Sequence, residues 1–198
     1  MAATHPDRTA EIRRETAETQ ISVALNLDRA TGTQIETGIG FLDHMLEQFA
    51  FHGRFGLQIS CQGDLAVDDH HTVEDVGIAL GQAIKSALGT SPVERFGSLH
   101  APMDDALMLV AMDISGRAFL GFEATFMREM LGELSTECIR EFFRALTAHS
   151  GITLHIRQEA GFNEHHLCEA LFKGFGVALH RATRAVERPG VSSTKGVI

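Results

Sequence analysis

The chain has 198 residues, which suits one domain or two fused half-domains of about 90 residues each. At 44% hydrophobic and 22% charged it has an ordinary globular composition, and a net charge of −9 disfavours nucleic acid binding, which needs a basic surface, while leaving room for a phosphorylated small molecule where a few Arg and Lys converge. It contains no apolar run of about 18 residues, which excludes a membrane-spanning helix. Three scattered cysteines, Cys61, Cys138 and Cys168, form no close-spaced metal or redox pair and fit a reducing compartment. The polar stretch from Met1 to Glu15 lacks the apolar region of a secretion signal, so a cytoplasmic location is expected.

In chain order, Ile21, Val23, Leu25 and Leu27 alternate with small and polar residues and predict a half-buried strand, followed by a turn at Thr31-Gly32-Thr33. Gly40 to Ala50 carries an apolar stripe of helical spacing, with His44 and Gln48 on the other face. Leu57 to Cys61 reads as a strand. His70 to Leu88 reads as a helix with Val73, Val76, Leu80, Ile84 and Leu88 inward, stopped by Gly89. Strands are predicted next at Ala106–Ile114 and Arg117–Ala124, a helix at Thr136–Ala148, and a strand over Ile152, Leu154 and Ile156. Asn163 is placed to cap a last helix that runs to about Arg184.

The order repeats. His52-Gly53 matches His149-Ser150, Leu57 and Ile59 match Leu154 and Ile156, and His70-His71 match His165-His166. The fold class expected is α+β: an internal duplication of two β-β-α-β-α half-domains, each a small mixed sheet of about four strands backed by two helices. The boundaries read as 8–95 and 96–190, with 191–198 as a tail.

The repeated element is also the chemical one: His70-His71-x-x-Glu74 and His165-His166-x-x-Glu169 each open a helix. Helical neighbours project about 100° apart, so two adjacent histidines aim at different ions, whereas residues three or four apart share a face. The glutamate can therefore join either histidine. His44 and His155 lie off the apolar faces of their elements, which expands the candidates to two sets: His44, His70, His71, Glu74 and His155, His165, His166, Glu169. Imidazole mixed with carboxylate suits Mn²⁺, Fe²⁺, Co²⁺ or Zn²⁺ rather than Ca²⁺ or Mg²⁺. His5, His100 and His180 read as ordinary surface histidines.

Several strings are similar to imidazoleglycerol-phosphate dehydratases: Glu18-Thr19, the run Thr37 to Met45, Asp68 to Asp75 around the first histidine pair, Pro102 to Asp105, Asp113 to Arg117, Asn163 to Lys173 around the second pair, and Ser192 to Gly196. The resemblance spans about residue 8 to 198 and is to the monofunctional form. It implies dehydration of imidazole glycerol phosphate to imidazole acetol phosphate in histidine biosynthesis. It also implies two Mn²⁺ per active site, and a 24-mer built from trimers with its sites between subunits. By motif match, the eight residues above are the metal ligands. Arg95, Arg117, Ser193 and Lys195 fall on the phosphate contacts, and Glu18 on the acid/base glutamate. His44, His52 and Lys173 join Glu18 as substrate-binding candidates, and the catalytic set is Glu18, His71, His166 and Glu169. Asp105 stands where many members have Glu.

The proton to be lost has no adjacent carbonyl to acidify it. A Lewis acid on an imidazole nitrogen favours imidazolate, which expels the hydroxyl to give a diazafulvene and so acidifies the neighbouring C–H for a carboxylate base. Two other readings stay open from the residues alone: a non-catalytic metal-binding oligomer and a dinuclear metallohydrolase.

Overall fold

The computed structural model describes residues 7–186. The first half comprises β1 (Thr9–Glu15), β2 (Thr19–Asn26), β3 (Thr33–Glu36), α1 (Gly40–Gly53), β4 (Gly56–Gly63) and α2 (His70–Leu88). The second half follows with β5 (Phe96–Met103), β6 (Ala106–Asp113), β7 (Phe119–Glu123), a small hairpin of β8 (Met130–Leu131) and β9 (Leu134–Ser135), then α3 (Thr136–Ser150), β10 (Thr153–Ala160) and α4 (Glu164–Thr183).

The sheets have matching orders, β1-β2-β4-β3 and β5-β6-β10-β7. In each, three strands are antiparallel and the fourth, β3 or β7, pairs in parallel with β4 or β10. Four strands and two main helices per half agree with the duplication read from the sequence. The chain order differs in one respect, because a further strand precedes the first helix of each half. β1 and β5 are edge strands with mostly exposed faces, so they lack the apolar alternation that marks β2 and β6. β3 is four residues long and buries only Ile35, so the turn at Gly32 (φ 88°) was its only sequence signal.

The helices are shared between the halves: α1 packs on α4 and α2 on α3, while α2 covers β1 and β2 and α4 covers β5 and β6. One continuous apolar core results, with Phe49 stacked on Phe175 at 5.1 Å and Phe142, Phe143 and Phe172 clustered beside them. The close crossing of α2 and α3 explains a glycine inside a helix, where it costs about 1 kcal/mol relative to alanine. A Cβ on Gly81 would lie 2.5 Å from the Leu146 carbonyl oxygen.

The crossed packing positions the site. It carries α1 of the first half onto the N-terminal turns of α4 in the second. Among the described residues no helix is long and apolar enough to cross a membrane.

Candidate metal centre

Both histidine pairs sit on first helical turns that are tied down. The Asn163 side chain accepts hydrogen bonds from the His165 and His166 amides at 3.1 and 3.3 Å. At α2, Asp68 accepts from the His70 amide at 2.9 Å, and buried Asp69 accepts from the Ser135 amide and hydroxyl at 2.6 and 2.7 Å. The rings within each pair stand nearly perpendicular, at 86° and 87°, with centroids 6.1 and 6.2 Å apart. The adjacent histidines therefore aim in different directions, as helical geometry requires.

The structure groups these residues differently from the sequence. His44 joins the second pair, not the first, because α1 packs on α4. Its Nε2 lies 3.7 Å from Glu169 Oε2, and His165 Nε2 lies 3.1 Å from the same oxygen. Ligand atoms of His44, His165 and Glu169 all fall within 4.8 Å of one another. Two imidazole nitrogens and one carboxylate at this spacing fit a first-row divalent ion. Burial works to raise the Glu169 carboxyl pKa, but the Lys173 ammonium at 2.6 Å, with His165 and His44, outweighs it and holds the group below its ordinary value. The Lys173 contact thus favours the carboxylate form, which is the form that can ligate a cation.

In the first half, Glu74 lies 3.8 Å from His70 Nε2 and is bound by Arg144 at 2.5 Å, which also holds Glu141. His71 meets Asp64 through Nδ1 at 3.1 Å, and its Nε2 lies 3.7 Å from Glu18. His166 meets Asp105 through Nδ1 at 2.7 Å, and its Nε2 lies 3.7 Å from Asp104. Burial pushes Cys61 up to about 11 and Cys138 up to about 12, and raises Cys168 further.

The family model for imidazoleglycerol-phosphate dehydratase matches residues 37–179. The chain belongs to the imidazoleglycerol-phosphate dehydratase family. A dehydratase of this name from Acetivibrio thermocellus is 53% identical over 194 residues, covering 97% of this chain and 100% of that protein. One from Methylorubrum populi is 50% identical, covering 96% and 98%. The crystal structure of the Staphylococcus aureus dehydratase matches with a TM-score of 0.82 at 38% identity, covering 90% of this chain and 99% of that one. The Pyrococcus furiosus enzyme, solved in complex with (S)-C348, matches with a TM-score of 0.82 at 39% identity, covering 94% and 100%.

The residues that the family motifs mark for substrate lie in two places. His52 is on α1, and burial together with the nearby Lys173 charge lowers its pKa. Arg95 and Arg117 instead meet the far end of β6. Arg95 is forked onto Asp113 (2.6 and 3.0 Å) and lies 4.9 Å over the Phe96 ring, and Arg117 bonds Ser115. Asp105 lies at the opposite end of β6, and eight residues of strand span about 26 Å. His155 lies on the exposed face of β10, beside Phe119, while Leu154 and Ile156 turn inward. One chain thus does not bring His155 to either histidine pair. Ser193 and Lys195 fall outside the described residues. The sequence patterns did not single out Asp64, which meets His71 across a loop, or Arg144, whose partner Glu74 is 70 residues away.

Proposed function

We propose that this chain dehydrates imidazole glycerol phosphate to imidazole acetol phosphate in histidine biosynthesis, as a cytoplasmic enzyme using two Mn²⁺ per active site. The observation that carries this reading is the His44, His165 and Glu169 donor set in a chain of this family. His44, His70, His71, Glu74, His155, His165, His166 and Glu169 would hold the ions. A bound ion supplies Lewis acidity toward an imidazole ring nitrogen.

The remaining work falls to the chain's own groups. Glu18 is half-exposed and faces the Nε2 side of His71, so it is placed to take the proton from the carbon next to the leaving hydroxyl. Lys173 neutralises Glu169 and keeps it a ligand, and His52 shares that side of α1. Arg95 and Arg117 can each fork onto phosphate oxygens, and Ser193 and Lys195 would add to the same phosphate.

The distance along β6 supports an active site built from more than one copy, since the arginines and His166 of a single chain are too far apart for one small substrate. We therefore extend the proposal to a homo-oligomer, a 24-mer with sites between subunits. Two experiments test it. Turnover of imidazole glycerol phosphate should vanish on chelation and return with Mn²⁺; full activity in the chelated protein would overturn the reading. Mixing inactive Arg95→Ala and His166→Ala proteins should restore partial activity if sites are shared, and none if each chain works alone.

A further inference from the structure

The two halves hold the second histidine of each pair in the same way, but with carboxylates from unrelated positions. Asp64 follows the end of β4 and reaches His71 Nδ1 at 3.1 Å. Asp105 lies in the β5–β6 turn and reaches His166 Nδ1 at 2.7 Å. An ionised carboxylate only accepts, so Nδ1 carries the proton in both rings and Nε2 is left as the free lone pair.

The duplication makes this informative. β2 begins at Thr19 and β6 at Ala106, and Leu25 pairs with Leu57 as Met112 pairs with Leu154. The residue before each strand is therefore equivalent: Glu18 in the first half and Asp105 in the second. Yet Glu18 faces the Nε2 side of His71 at 3.7 Å, whereas Asp105 binds the Nδ1 side of His166. Counted through the bulge that follows Gln158 in β10, Gly161 is equivalent to Gly63 and the position equivalent to Asp64 is Phe162, an exposed apolar side chain that can accept no hydrogen bond. Two copies that merely inherited a contact would use equivalent residues. Here the contact is the same and the residues are not.

We propose that Asp64 and Asp105 are positioning residues that hold His71 and His166 with Nε2 free for a metal ion, and that Asp64, by taking this duty in the first half, leaves Glu18 free to face the substrate. This rests on the function proposed above. The Asp105 carboxylate accepts from the Asn163 and Phe162 amides as well as meeting His166. Asp105 thereby also fixes the loop that enters α4, at 2.9 and 2.8 Å. The Asp64 side chain has no second hydrogen-bond partner among the described residues, so it gives the cleaner test.

The experiment measures Mn²⁺ affinity of the metal-free full chain by competition with a fluorescent chelator, alongside kcat and KM over a range of Mn²⁺. Asp64→Asn and Asp105→Asn should each weaken Mn²⁺ binding by about 10- to 100-fold, the usual cost of losing such a partner. Turnover should recover at high Mn²⁺. Asp105→Glu should restore affinity where Asp105→Asn does not. Glu18→Gln should keep wild-type Mn²⁺ affinity and stay slow at every Mn²⁺ concentration. Unchanged affinity in folded Asp64→Asn, judged by its thermal melt, would overturn the proposal, as would a loss in Glu18→Gln equal to that in Asp64→Asn. A wild-type chain that binds Mn²⁺ but does not turn over the substrate would sink the functional reading and leave the affinities to judge the positioning role.

Discussion

The two halves carry the same histidine pair on the same helix, but what surrounds each pair differs. At α4, Glu169 is buried, gathers His165 and His44, and is neutralised by Lys173 from one turn along its own helix. At α2, Glu74 is neutralised from a neighbouring helix by Arg144, and Glu141 occupies the place on α3 that His44 has on α1. Duplication thus supplied two equal scaffolds, and a few substitutions made them unequal. The cluster at α4 offers a three-donor set within a single chain, with His44 supplied from the first half. The other offers a free carboxylate, Glu18, beside a histidine whose far nitrogen is already held.

The most severe way to break this comparison is to remove one histidine from each half. His71→Ala and His166→Ala should both abolish turnover and lower bound metal, measured by elemental analysis and a dehydration assay. Full activity in either protein would mean that its half contributes no ligand. Glu18→Gln comes next. The loss of a general base costs about 10²- to 10⁴-fold in rate, and here bound metal should stay at the wild-type level. A parallel fall in metal content would move Glu18 into the ligand set and erase the contrast with Asp105.

Much of this was legible in the sequence because it is periodic. The repeat, the helices with their stripes, the Asn163 cap and the Gly89 stop all depend on residues close together in the chain. The histidine pairs were legible for the same reason. The membership of each cluster was not. His44 reaches Glu169 because α1 crosses to the other half, and no local pattern records which helices pack together. Asp64 was passed over because its partner lies seven residues on, across a loop. β1 and β5 escaped because an edge strand satisfies its backbone on one side only and exposes most of its side chains.

The helix crossings that bring the halves together can be tested apart from the chemistry. Gly81→Ala would push a methyl group to 2.5 Å from the Leu146 carbonyl oxygen, and Gly176→Ala would meet the Phe49 carbonyl oxygen in the α1–α4 crossing. Each should cost about 1–3 kcal/mol by overpacking, despite alanine's better helix propensity. Denaturant midpoints would read this. The Gly176→Ala protein should in addition bind metal less tightly, because its crossing aligns His44 with Glu169, whereas Gly81→Ala should lose stability alone.

The smallest contrast lies at equivalent arginines. Arg8 and Arg95 each precede an edge strand, and their carbonyls accept from the Leu27 and Ile114 amides at 3.0 Å. Both fork onto an aspartate: Arg8 onto Asp28, Arg95 onto Asp113. Arg8 also bonds the Thr183 carbonyl at 2.6 Å, which ties the first strand to the end of α4. Its hydrogen bond lowers the Asp28 pKa. A depressed folded pKa contributes stability that is fully present above the unfolded value, near 3.8, and is lost as pH falls through the lower folded value. Asp28→Asn should therefore cost about 1 kcal/mol at neutral pH, as for an ion pair near the surface, and the difference from wild type should close in acid. KM should not change. Asp113→Asn should cost at least as much stability, because its forked pair is no more exposed, and should in addition raise KM for the phosphorylated substrate, because the arginine it releases is the one proposed to bind phosphate. Equal effects of the two substitutions on KM would mean that the equivalent arginines still do the same job.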